Sequence, residues 1–139
     1  MPYAIKIDPS ARIGLVVGSG LVNGAELTDA CQKMVQQPEW EPGFDEAWDL
    51  TGAREIDITP DELTALVASA HEYAAQIGQS RCVFIHTRDG VQAVLRLFEL
   101  LTQDLDRTYH TVRSREEAAD WLGLAPEVLE RPEDQTEPS

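Results

Sequence analysis

Asp49-Leu50-Thr51-Gly52-Ala53-Arg54-Glu55-Ile56-Asp57-Ile58-Thr59-Pro60-Asp61-Glu62-Leu63 reads as the end of a buried strand, a short loop, and a helix that begins abruptly at Thr59. Thr59 and Glu62 have the spacing of a capping box, in which each residue satisfies a backbone N–H of the other. Pro60 takes the first helical position, where its missing N–H costs nothing. A strand that runs into a helix in this way belongs to an α/β protein. It also gathers a hydroxyl and several carboxylates at one edge of the sheet.

Working outward, the helix continues from Pro60 to about Ile77, with Leu63, Leu66, Val67, Ala70, Tyr73, Ala74 and Ile77 on one face and Gly78 as its stop. Cys82-Val83-Phe84-Ile85 is a continuous apolar run, the mark of a central strand covered on both faces. A third helix is expected from about Gly90 to Leu105, with Val91, Val94, Leu95, Phe98, Leu101 and Leu105 as its stripe. Tyr109–Val112 is a short edge strand, and Ser114 with Glu117 opens a last helix burying Ala118, Trp121 and Leu122. Upstream, Tyr3–Ile7 and Ile13–Val17 flank the turn sequence Asp8-Pro9-Ser10-Ala11 and form a hairpin. Asn23, with Glu26 three residues on, caps a first helix whose Leu27, Ala30, Cys31 and Met34 share a face and which stops before Pro38. After the Gln37–Gly43 loop, Phe44–Leu50 is a strand with Phe44, Ala47, Trp48 and Leu50 as its apolar members. The order β-β-α-β-α-β-α-β-α predicts a mostly parallel sheet of four or five strands, an N-terminal hairpin, and helices packed on the sheet.

At 139 residues the chain is one domain, expected over residues 1–125. Residues 126–139 carry five acids against Arg131, few apolar groups and several prolines, the composition of a disordered tail. The net charge of -14 disfavours nucleic acid and anionic membrane surfaces as partners. No apolar run approaches the roughly 20 residues that span a bilayer. Cys31 and Cys82 lie far apart in the chain, on separate elements and in no CxxC motif, as buried thiols do. Without an N-terminal signal, this composition points to the cytoplasm.

The element order, with the runs Asp49-Leu50-Thr51-Gly52 and Ile56-Asp57-Ile58-Thr59, resembles the STAS superfamily, the anti-sigma-factor antagonists of SpoIIAA type. More narrowly it is similar to uncharacterised bacterial SpoIIAA-like proteins. These share a Pro-Gly loop (here Pro42-Gly43), a third helix like Phe98-Glu99-Leu100-Leu101, and an ending like Ala118-Ala119-Asp120-Trp121-Leu122. The likeness covers roughly residues 3–124. It implies a non-enzymatic regulatory domain that binds a protein partner, a kinase or an anti-sigma-like factor. In the antagonists Ile-Asp-Ser-Ser-Gly carries a phosphorylatable serine at the helix start. Here Asp57 matches the aspartate and Thr59 the phosphoacceptor, while Ile58 replaces the first serine and Pro60 the glycine.

Thr59 is thus a helix cap on one reading and a phosphoacceptor on the other. From Glu39 to Glu62, nine acids stand against Arg54 alone. Such a run is a solvated face, or a docking surface for a basic partner with Asp57, Asp61 and Glu62 as its members and Trp40 either half exposed as an anchor or packed beneath the loop. His86-Thr87-Arg88-Asp89-Gly90 follows the central strand, at the carboxyl edge where open α/β sheets bind ligands. It is a plain strand-to-helix turn, or an anion site built from His86, Thr87, Arg88 and Gly90. The alternative function is a carrier or sensor of a small apolar or anionic ligand, by weak analogy with Sec14-like sheets. That reading requires a cavity of at least a few hundred Å3, with the ligand at Arg88 or between the sheet and the helix bearing Phe98 and Leu101. Leu97 and Leu100, at the margin of that helix's apolar stripe, are rim packing or part of a face for a second copy. No metal site and no cofactor motif is present in the pattern of His, Cys, Asp and Glu.

Overall fold

The computed structural model describes residues 3–130. The elements are β1 (Tyr3–Asp8), β2 (Ile13–Asn23), α1 (Gly24–Val35), β3 (Asp45–Asp57), α2 (Pro60–Glu72), α3 (Ala74–Ile77), β4 (Ser80–Ile85), α4 (Asp89–Leu101), β5 (Arg107–Val112) and α5 (Arg115–Leu122). A 3-10 turn follows at Pro126–Leu129. The five strands lie in the sheet in sequence order, with β1 antiparallel to β2 and the remaining pairs parallel. Each parallel step advances one strand in the same direction, so right-handed crossovers put α1, α2 and α4 on one common face.

Strand alternation divides the interior in two. Val16, Trp48, Leu50, Cys82 and Phe84 face α1, α2 and α4. Leu15, Val17, Ala47, Val83, Ile85 and Val112 face α5 and the 3-10 turn. The uninterrupted apolar run of β4 is the consequence, because both of its faces are covered. Three local signals fix helix starts as expected. Asn23 accepts from the Glu26 N–H. Thr59 and Glu62 close a complete capping box. Ser114 Oγ accepts from the Glu117 N–H and donates to the Glu117 carboxylate.

Four boundaries differ from the sequence expectation. The stretch after Leu50 is strand, not loop. β2 and β3 continue side by side through Asn23 and Asp57, and β3 gains residues at two register shifts, between Val17/Ser19 and between Gly20/Leu21. Gly18, Ser19, Gly20 and Gly52 have the composition of turns, but bulges use such residues to bend a paired strand. The second helix breaks at Tyr73 into α2 and α3, and the third stops at Leu101, where the buried Thr102 hydroxyl bonds back to the Phe98 carbonyl at 2.9 Å. Finally, residues 126–130 do not behave as a tail, because the 3-10 turn buries Leu129 completely. The remaining residues of the expected tail, 131–139, lie outside the described residues. Among the described residues no helix is long and apolar enough to cross a membrane.

Candidate functional site

β3 and α2 meet at Ile58 and Thr59, and the capping box defines the geometry there. The Thr59 hydroxyl accepts from the Glu62 N–H at 3.2 Å, and Glu62 Oε1 accepts from the Thr59 N–H at 2.9 Å. Thr59 itself is exposed, as are Asp57 and Asp61 on either side. The start of α1 comes close to the same point. A Cβ on Gly24 would stand 2.5 Å from Glu62 Cβ, so only glycine permits this approach. The Glu62 carboxylate therefore serves two helix N-termini. The Thr59 N–H, first, and the N–H groups of Ala25 and Gly24 lower its pKa, against an opposing effect of burial.

The rest of the acidic segment separates into different roles. Glu46 and Asp49 are buried. Asp49 Oδ1 accepts from the Thr51 hydroxyl at 2.6 Å and the Thr51 N–H at 3.0 Å, at the first bulge of β3. Asp45 binds the Arg81 guanidinium at 2.7 Å. Trp40 is not a surface anchor. It is 8% exposed, donates its indole N–H to the Gln76 carbonyl at 2.8 Å and packs edge-on to Phe44. The accessible acids of the proposed docking surface are thus Asp57 and Asp61, with Glu62 turned inward to the caps.

The residues expected to hold an anion are brought together but otherwise engaged. β4 pairs with β3 only from Glu46 to Asp49. Beyond that point the other edge of β3 has carbonyls without a strand neighbour, and the Arg88 guanidinium donates to two of them, those of Ala53 and Arg54. Buried His86 accepts from the Arg88 N–H at Nδ1 (3.2 Å), which leaves Nε2 to donate to Gln92 Oε1 (3.2 Å). The Thr87 carbonyl accepts from Arg113. Thr87 and Gly90 are exposed, and Arg88, while it clamps β3, lines an open cleft with Ile56, Ile58, Gly90 and Val91. The engagement of Arg88 was not legible locally, because its partners lie more than thirty residues away.

The most unusual polar group escaped the sequence reading. Arg107 and Glu46 form an ion pair at 2.7 Å with side chains only 5% and 1% exposed. Their contact is off the line a hydrogen bond needs, so Arg107 Nε and Nη2 and Glu46 Oε2 have no hydrogen-bond partner. Glu46 Oε1 accepts from the Trp48 indole at 2.9 Å, and the guanidinium lies over the Tyr109 ring. Burial alone would lower the Arg107 pKa, but the Glu46 charge overrides it and the net shift is upward. The pair lines a cavity of about 40 Å3 between the sheet and the helices, whose wall includes Leu66, Leu95 and Phe98. This is one of the two places expected for a carried ligand, and its volume is far below the few hundred Å3 such a ligand requires; the other, at Arg88, is an open cleft of about 340 Å3. Cys31 and Cys82, distant in sequence, line this same cavity. Burial pushes the Cys31 thiol up to about 12 and Cys82 in the same direction, so both are protonated and unreactive at neutral pH.

The three histidines stay apart. His110 stacks on Trp121, His86 ends β4, and His71 bridges α2 to Asp104. Among the described residues no three His, Cys, Asp or Glu side chains are placed to hold a metal ion. Both His71 nitrogens face acceptors, the Val67 carbonyl at 3.0 Å and the Asp104 carboxylate at 2.9 Å. The Val67 contact, then Asp104, raises the His71 pKa, and His71 in turn lowers that of Asp104. A raised folded-state pKa gives stability that is complete below the unfolded value and lost as pH rises through the folded one. The thermal midpoint advantage of the wild type over His71→Asn should therefore shrink from about pH 6 to about pH 8. An advantage independent of pH would mean that folding does not raise the His71 pKa.

No protein-family model matches this chain, and no curated protein does. Among solved structures, an uncharacterised protein of the DUF3478 family with a SpoIIAA-like fold, from Shewanella loihica PV-4, superposes with a TM-score of 0.57 at 13% sequence identity. The match covers 86% of this chain and 93% of that one. The fold is therefore SpoIIAA-like, with its N-terminal hairpin, mixed sheet and helices in the expected order.

Proposed function

We propose that this chain is a non-enzymatic regulatory domain that binds a protein partner through the start of α2, and that phosphorylation of Thr59 switches the contact. The observation that carries the reading is the position of the Thr59 hydroxyl. It is exposed, at a helix N-terminus, and bonded only within the capping box. A kinase can reach such a group without unfolding the sheet. The chemical consequence is local and large. A phosphate adds a charge of about -1.5 to -2 beside the Glu62 carboxylate. Both anions then compete for the N–H groups of two helix starts. Glu62 is expelled, the α1–α2 junction loosens, and Asp57 and Asp61 add to the repulsion at the surface. A basic partner docked there in the unmodified state is oriented by those acids, and the junction it recognises is lost on modification. The interior cavity is too small for a carried ligand and the cleft at Arg88 is open to solvent, so a ligand carrier is the weaker reading.

The test is native mass spectrometry of the protein purified from its own host, with Thr59→Glu and Thr59→Ala alongside. The reading expects a partner protein on the unmodified wild type, or one phosphate mapped to Thr59. Thr59→Glu should remain folded and lose the partner. Thr59→Ala should lose about 1 kcal/mol of stability with its cap while retaining the partner and resisting phosphorylation. A partner captured equally by wild type and Thr59→Glu refutes the switch. A chain with neither partner nor phosphate leaves Thr59 a helix cap.

A further inference from the structure

One flank of α4 is apolar and exposed, although its inward face already supplies core. Val91, Leu95 and Phe98 are buried against the sheet, while Leu97, Leu100 and Leu101 on that flank are 46%, 55% and 48% exposed. Apart from Leu21, these three are the exposed large hydrophobic residues among those described. They fall at the i, i+3 and i+4 positions of one stripe, which Ala93 continues toward the helix start. Gln92, Arg96 and Glu99 hold the remaining side, so the leucines widen the apolar stripe beyond what the sheet covers. We propose that the cover is a second copy of this chain, docked through α4 in an antiparallel, two-fold symmetric pair.

Size and charge favour this occupant. Leucines gather at the C-terminal end of the stripe, and the exposed Ala93 and Gly90 at its N-terminal end. Antiparallel pairing about Leu97 sets the Leu101 of one copy over the Ala93 of the other, large against small, as a self-complementary interface requires. Charge selects the same face. The chain carries -14 overall, so most approaches of two copies are repulsive. From Gly90 to Gln103 the only charged residues are Arg96 and Glu99, which sum to zero. A basic partner is drawn instead to the acids near α2, which leaves α4 for a neutral, self-matching surface.

Sedimentation velocity of the full chain over a range of concentrations is the direct test, joined to one cross-link. The wild type is expected to dimerise reversibly. Leu97→Glu and Leu100→Glu should each weaken the dimer about thirtyfold or more without lowering the thermal midpoint measured at concentrations where the wild type is monomeric, since both side chains are exposed in the monomer. Leu97→Cys should form an intermolecular disulfide under mild oxidation, because the two-fold axis passes beside residue 97. Leu21→Cys, equally exposed on β2, should not, and Cys31 and Cys82 are buried and do not compete. A wild type monomeric at every concentration overturns the proposal. So does a dimer that survives both glutamates, or α4 found covered by a different protein.

Discussion

Glu46→Ala is expected to destabilise the domain by about 3–5 kcal/mol, the usual cost of leaving one partner of a buried ion pair without the other. The reason lies in the surroundings of Arg107. Its guanidinium is enclosed by apolar side chains and by Tyr109, and Glu46 is the acid that neutralises it. Removing that acid leaves a full charge in a cavity lined by Leu66, Leu95 and Phe98, and also takes the acceptor from the Trp48 indole. Against a total stability of about 5–15 kcal/mol for an ordinary domain, such a loss is enough to broaden or abolish the folded state at physiological temperature. Replacing both residues together, as Glu46→Met with Arg107→Met, should recover most of the loss, and by the precedent of other buried pairs even exceed wild type by about 1–4 kcal/mol. Urea unfolding of the two single variants and the double variant measures this. If Glu46→Ala unfolds at the wild-type midpoint, the pair is hydrated, not buried, and the cavity beside it holds enough water to screen the charge.

That pair also marks the limit of reading this chain from its sequence. Most of what neighbours within four residues govern was legible: the caps at Asn23, Thr59 and Ser114, the apolar stripes of α1, α2 and α4, and the doubly covered β4, the exception being Thr102, which bonds back to Phe98 where α4 ends. What depended on distant partners was not. Glu46 looked like one acid in an acidic run, and nothing in its vicinity announces an arginine sixty-one positions away. Arg88 looked free for the same reason, since the carbonyls it holds belong to a strand end left over when β4 stops short. The length of β2 and β3 was hidden by glycines that mean turn in isolation and bulge when a partner strand lies alongside. The site itself divides in the same way. The Thr59 cap was legible because it is local, while the choice between an exposed and a packed Trp40 stayed open because the Gln76 carbonyl that holds its indole is far along the chain.

The end of the domain is where that limit has its second large consequence. Composition places the boundary at residue 125, and a chain stopped after Ala125 would be the natural choice for an expression variant. It should be less stable than the full chain by about 2–5 kcal/mol, the range for deleting a large buried aliphatic side chain. Leu129 is wholly inaccessible and joins Ile13, Leu15, Ala119 and Leu122 in the core on the α5 face of the sheet. Pro126 opens the 3-10 turn that carries it, and the Val128 carbonyl accepts from Lys6 on β1 at 3.4 Å, tying the turn to the hairpin edge. Without the turn, that face of β2 is left open to water beneath α5. Leu129→Ala isolates the contribution of the side chain and should reproduce most of the deficit, whereas Glu127→Ala, on an exposed position of the same turn, should stay within about 0.5 kcal/mol of wild type. Guanidinium unfolding of the three variants decides the matter. If the chain ending at Ala125 is as stable as the full one, the packing of Leu129 contributes nothing net. The strand face it covers would then close over by itself.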